Sequence, residues 1–282
     1  VIEDESNISY RIPNVNLIKA NCFERCTSLK SFECGNLMTS IESSAFIYCD
    51  SLETFKRGHC YFVIGNDAFH YCSSLKIFDF TMCNQTGESA FEKCYSLTKA
   101  DLSNTEINLI SKSSFRNCTS LKEVNLPKYL MVVNRYCFCG CSSLISIEFF
   151  NISFFFFIWD SAFENCTSLQ TVKFQDQPSF FGERVFYSCT SLRSVKIKSF
   201  SIVPVEFKES AFENCISLTD FDFKNCFIRT IGNRAFFNCP LSKTIKFKGF
   251  IFNYTLDIGA YAFNSPKIKA LDFRSSFSYI NL

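Results

Sequence analysis

One short pattern, Ala-Phe-x-x-Cys-x-Ser-Leu, recurs along the chain and restricts its fold more than any other feature. It stands in full at 45–52, 68–75, 90–97, 162–169 and 211–218. Looser copies begin at Cys22, Ser114, Cys137 and Val185, and decayed ones at Ala235 and Ala262. The anchor phenylalanines are 23, 46, 69, 91, 115, 138, 163, 186, 212, 236 and 263, at spacings of 22 to 27 residues. A unit of this size has one apolar side and cannot bury it alone. Stacking on its neighbours supplies the missing surface, so the repeat dictates an elongated array of coils. The 36 Phe against a single Trp follow from placing one aromatic at one recurring position.

Each copy continues alike. Apolar residues fall three and five positions after the Leu, as in Leu121, Val124, Leu126 and in Leu192, Val195, Ile197, with polar residues such as Asn125 and Lys196 between them. This alternation predicts a half-buried strand. Five residues before most anchors stands an Ile or Val, including Ile18, Ile41, Ile64, Ile110 and Val133, read as inward positions on the return side of the coil. The Phe-x-x-Cys segment is too short for an independent helix and is read as one helical or 3₁₀ turn. The expected architecture is an α/β repeat solenoid. It has about eleven coils, each with a short strand in a parallel sheet and a short helical or 3₁₀ turn. At ~4.8 Å per strand the body is roughly 50 Å long, with the Phe rings stacked as an internal ladder. Residues 1–282 are expected to form this single solenoid, as a segment of a longer protein, because neither end carries a polar cap.

Ile231-Gly232-Asn233-Arg234-Ala235-Phe236-Phe237-Asn238-Cys239 resembles the Ile-Gly-x-x-Ala-Phe-x-x-Cys core of the BspA-like leucine-rich repeat family, as does Ile64-Gly65-Asn66-Asp67-Ala68-Phe69. Ile12-Pro13 and Leu126-Pro127 are similar to its apolar-Pro pair after the strand. Gly is missing from most Ile-Gly positions, and Phe is heavier than the family's habit. The resemblance covers nearly the whole chain. It implies a non-enzymatic interaction module at the cell surface or secreted. It also implies an adhesion role toward another protein or glycoconjugate, such as a host matrix protein. The alternative is a cytoplasmic leucine-rich repeat scaffold.

Ten of the 17 Cys stand at the repeat position, one per coil, and are read as a structural column of buried free thiols. Cys60, Cys83 and Cys226 lie eight residues after their repeat Leu, where a side chain satisfies backbone in the turn after the strand. Cys137-Phe138-Cys139-Gly140-Cys141 lacks zinc spacing and has no nearby His, so no metal is expected. With only His59 and His70, and no phosphate-binding or zinc-protease motif, neither a catalytic centre nor a cofactor is expected. A net charge of +2 argues against nucleic acid. The most apolar run, Phe149 to Trp159, is too short to span a membrane.

Outward strand positions four residues after the Leu form a column along the sheet. Its centre is acidic or neutral, and it turns basic from Lys173 to Lys246. Glu148, Lys173, Lys196, Asp222 and Lys246 are the candidate binding residues on this face. The competing reading is an ordinary solvated face. The longest insertions, at 199–208 and 248–257, carry Val203-Pro204-Val205 and Phe250-Ile251-Phe252 as further contact candidates. Arg57 breaks the pattern, standing where an inward apolar residue is expected. Either the strand ends early there or the register differs.

Overall fold

A computed structural model describes residues 8–150, 156–176, 178–198, 203–221, 223, 226–247, 255–272 and 279–281. The chain winds as a solenoid of about eleven turns in which every strand pairs parallel to its counterpart one coil away. The strand predicted after each Leu is present and forms a front sheet. It runs in four hydrogen-bonded groups: Ile8–Ile12 to Ile77–Phe78, Lys99–Asp101 with Glu123–Asn125, Ser146–Phe149 to Asp220–Phe221, and Thr244–Lys246 with Ala270–Asp272. The alternation holds: in Thr171–Phe174 and Ser194–Ile197 the second and fourth residues are buried.

The return side is also a sheet, which the sequence reading did not anticipate. Its strands carry the Ile or Val that precedes most anchors, with Thr86, Phe181 and Phe207 at the same place in three coils. They form one group from Leu17–Ile18 to Cys83–Thr86 and a continuous eight-stranded group from Leu109–Ile110 to Tyr279–Asn281. Two short strands per coil, rather than one, enclose the core.

The core is the predicted aromatic ladder. All eleven anchor rings stack in sequence, with centroids 5.0 to 5.5 Å apart and planes within 17° of parallel. That separation is close to the strand spacing, so the sheets set the stack. Phe32, Phe55 and Phe78 from the front sheet form a second stack at 5.4 and 5.5 Å, edge-on to the first.

The expected helical or 3₁₀ turn at Phe-x-x-Cys is not there. The residues two before and two after each anchor take positive φ, as at Ser44 (57°) and Tyr48 (60°), or Ser161 (54°) and Asn165 (59°). Only the last coil lacks the second of the pair among these residues. A left-handed residue every fourth position breaks a right-handed helix. It turns alternate amides outward along the solenoid instead. Ser44, Phe46 and Tyr48 donate to the carbonyls of Asn66, Ala68 and His70 in the next coil at 2.8 to 2.9 Å, while Ala45, Ile47 and Cys49 bond three residues back. The turn is thus a third inter-coil ladder, and the fold is a β-solenoid with turns where helices were expected. Asn, the residue most tolerant of this conformation after Gly, takes the second position at 117, 165, 214 and 238.

The repeat Cys completes this turn. Its thiol donates to the carbonyl of the preceding coil's anchor Phe: Cys49 to Phe23 at 2.9 Å, Cys141 to Phe115 at 3.2 Å, Cys239 to Phe212 at 3.0 Å. Nine such bonds run down the molecule. A small apolar side chain with a weak donor fits a buried position that borders one carbonyl. Burial pushes the Cys49 thiol up to about 12 and Cys72, Cys94 and Cys141 well above the ordinary thiol range.

Arg57 lies just past the strand Thr54–Lys56, which ends before it. Its Nη1 donates to the carbonyls of Gly58 (2.7 Å) and Cys60 (3.2 Å), and its guanidinium lies 3.9 Å from the Phe62 ring centroid. Desolvation lowers its pKa, with Asp79 acting in the opposite direction. It is a polar plug for the corner.

Candidate binding surface

The front sheet presents the column of outward side chains in register. Glu148 aligns with Lys173, Lys173 with Lys196, and Lys246 with Asp272. Lys173, Lys196 and Lys246 are exposed and Glu148 is half-buried. Asp222 lies outside the described residues. Glu148 is 3.8 Å from the Lys173 ammonium and accepts a bond from Gln175 Nε2 at 2.9 Å, while Lys196 pairs with Asp220. Within the stretch expected to be basic, Lys173 and Lys196 stand side by side, and each is paired with an acid from a neighbouring coil. Lys208 stands just past the back strand Val205–Phe207 and bonds Glu206 at 2.8 Å.

The same pattern continues toward the N-terminal coils. Lys99 bridges Glu123 (2.8 Å) and Asp101 (3.4 Å), and Asn125 Nδ2 donates to both carboxylates. The hydrogen bond from Lys99 holds the Glu123 carboxyl below its usual range, and the Ser103 hydroxyl does so for Asp101. Arg11 and Glu33 meet at 3.1 Å at the first coils.

Between Glu123–Asn125 and Ser146–Phe149 the front sheet is interrupted, and a cleft of about 590 Å³ opens on its outer face. Lys122, Glu123, Asn125, Lys128, Glu148 and Phe150 line it. Phe150 is 47% exposed at its edge. Glu148 is the one predicted residue that both joins the column and lines the cleft.

Of the apolar insertion candidates, Val205 is buried in the back strand Val205–Phe207 and is not a contact point, since alternation turns it inward. Phe250-Ile251-Phe252 lie outside the described residues. Among the described residues no three His, Cys, Asp or Glu side chains are grouped to hold a metal ion, and no helix is long and apolar enough to cross a membrane.

The BspA type leucine rich repeat region matches the chain in six copies, over residues 4–108, 84–207 and 157–282. A leucine-rich repeat protein from Bacteroides ovatus superposes with a TM-score of 0.60 at 20% identity, over 97% of this chain and 83% of that one. A leucine-rich cell surface protein from Faecalibacterium prausnitzii gives 0.58 at 19% identity, over 97% and 89%. At these identities the likeness is one of fold. No curated protein matches the chain in sequence. With the repeat matched from end to end and the stacked coils in place, the chain belongs to the BspA-type leucine-rich repeat family.

Proposed function

We propose that the chain is a non-enzymatic binding module, displayed at the cell surface or secreted. It holds another protein or a glycoconjugate, such as a host matrix protein, against its front sheet. The observation that carries this reading is the register-aligned column of charged side chains Glu148, Lys173 and Lys196, beside the cleft at the sheet's interruption, with Lys246 on a later strand of the same face. A stacked solenoid holds such side chains on rigid backbone at one strand spacing, so a large partner meets many preplaced contacts at little ordering cost. Asp222 is assigned to the same face from its place in the repeat. The description of the Faecalibacterium fold relative as a cell surface protein is in keeping with this.

Surface plasmon resonance against immobilised matrix proteins and sulfated glycans tests the reading. The double variant Lys173→Glu, Lys196→Glu is expected to weaken binding about tenfold or more and to reduce its salt dependence. Binding that ignores both charge reversals and ionic strength would refute the front sheet as the contact face. The second reading, a cytoplasmic scaffold, is favoured by the repeat cysteines, whose thiols donate to backbone carbonyls, an arrangement that suits a reducing compartment. Thiol counting under denaturing conditions on protein from its native source separates the two: blocked thiols overturn the scaffold.

A further inference from the structure

The back sheet carries a feature that the front-sheet reading does not use. Its outward positions follow one another in register as Leu109, Val132, Phe157, Phe180 and Glu206. Elsewhere that position is Leu17, Ser40, Val63, Gln85, Thr230 or Asp257, with Gln85 and Glu206 on either side of the row. Four consecutive apolar residues are therefore bounded by polar ones on both sides. Trp159, two residues beyond Phe157, shares its face: the two rings are 6.1 Å apart and within 22° of parallel, and Phe180 lies 5.1 Å from the indole. Met131 flanks the row at 43% exposure and Leu109 is 39% exposed. Phe156 and Ile158 face the core, so residues 156–159 are apolar on both faces. A bounded outward patch of this kind marks an interaction surface.

The rim indicates what covers it. Arg135 lies over the Trp159 ring at 5.8 Å and pairs with Asp160 at 3.1 Å. Lys208 lies over Phe180 at 5.5 Å and pairs with Glu206 at 2.8 Å. Each rim cation is thus balanced by an acid of its own chain. No net charge selects a strongly acidic or basic partner, and a second copy meets no like-charge repulsion. The row is also self-complementary. A two-fold axis between the strands Val132–Val133 and Phe157–Ile158 sets Val132 of one copy against Phe157 of the other, and Leu109 against Phe180, pairing small with large.

We propose that this patch is a self-association surface on which a second copy of the chain docks, back sheet to back sheet. The contact is isologous and needs one patch only. Four strands span roughly 20 Å and the outward residues of each cover ~10 Å along the strand, so the patch is roughly 200 Å², short of the ~800 Å² per partner of a standard stable interface, and the dimer is reversible and concentration-dependent. The two front sheets then face away from each other, which makes the proposed front-face binding bivalent.

Sedimentation velocity of the full chain over a wide concentration range tests the proposal, with Trp159, the sole tryptophan, as a built-in reporter. Wild type is expected to show a monomer–dimer equilibrium, with indole emission moving to longer wavelength on dilution. Phe157→Glu raises the dissociation constant about tenfold or more while circular dichroism is unchanged, because the side chain faces outward. Leu109→Lys, two coils away, acts alike should the first variant fold poorly. Lys173→Glu, on the front sheet, leaves the dimer intact, so loss of partner binding and loss of self-association are distinguishable. A wild type that stays monomeric at its highest attainable concentration overturns the proposal. So does a dimer indifferent to both back-sheet variants, and so does dimerisation that leaves Trp159 emission unchanged.

Discussion

Alkaline solution should unfold this protein sharply, and the thiol column sets the pH. Nine cysteines, Cys49, Cys72, Cys83, Cys94, Cys118, Cys137, Cys141, Cys166 and Cys215, have pKa values raised by burial, with Cys49 and Cys83 pushed up to about 12. In the unfolded chain the same groups ionise near ~8.5. A thiol held neutral in the fold contributes stability that is whole below the unfolded pKa and is lost as pH rises toward the folded one. At pH 10 each unfolded thiol gains about 2 kcal/mol from ionising, a figure that does not depend on the folded pKa so long as that exceeds 10. Nine thiols amount to about 18 kcal/mol at pH 10 and about 8 kcal/mol at pH 9, against a native stability of roughly 5–15 kcal/mol. Under reducing conditions the loss of far-ultraviolet circular dichroism and the appearance of thiolate absorbance are expected together, between about pH 9 and 10. A chain that stays folded to pH 11 while its thiols titrate one by one near their unfolded value would refute the reasoning. The thiols would then ionise in place, and the column would not be a sealed core.

Two substitutions probe the stack and the coil spacing. Phe138→Ala removes a fully buried ring lying between Phe115 (5.4 Å) and Phe163 (5.2 Å), and should cost about 3–5 kcal/mol in denaturant unfolding. A loss below 1 kcal/mol would mean that the ladder relaxes around the gap. Gly232→Ala should destabilise by roughly 1–3 kcal/mol, although Gly→Ala commonly stabilises by reducing unfolded-state freedom. Its new Cβ would meet the Lys208 carbonyl carbon and the Glu209 nitrogen at 2.7 Å. Unchanged or raised stability would show that adjacent coils separate readily there.

The repeat period alone determined that this chain stacks coils, that the anchor Phe rings form one column, and that Val172 and Phe174 face inward while Lys173 faces out. These follow from period-two alternation and from the need of each coil for a neighbour, neither of which depends on distant partners. The failure at Phe-x-x-Cys has the opposite cause. A local reading satisfies backbone amides within the segment and so proposes a helical turn. The stacked coil offers acceptors one strand spacing away, and the backbone adopts left-handed residues at Ser44 and Tyr48 to reach them. The return strands were missed for the same reason, since two residues such as Ser40–Ile41 count as a strand only through their neighbours. Register between coils likewise decided what the column of lysines became. Lys173 is a cation in sequence and half of an ion pair with Glu148 in the fold, because stacking brings together residues 25 positions apart. What a coil is was written in its own 23 or so residues. What its surface offers was decided by the coils on either side.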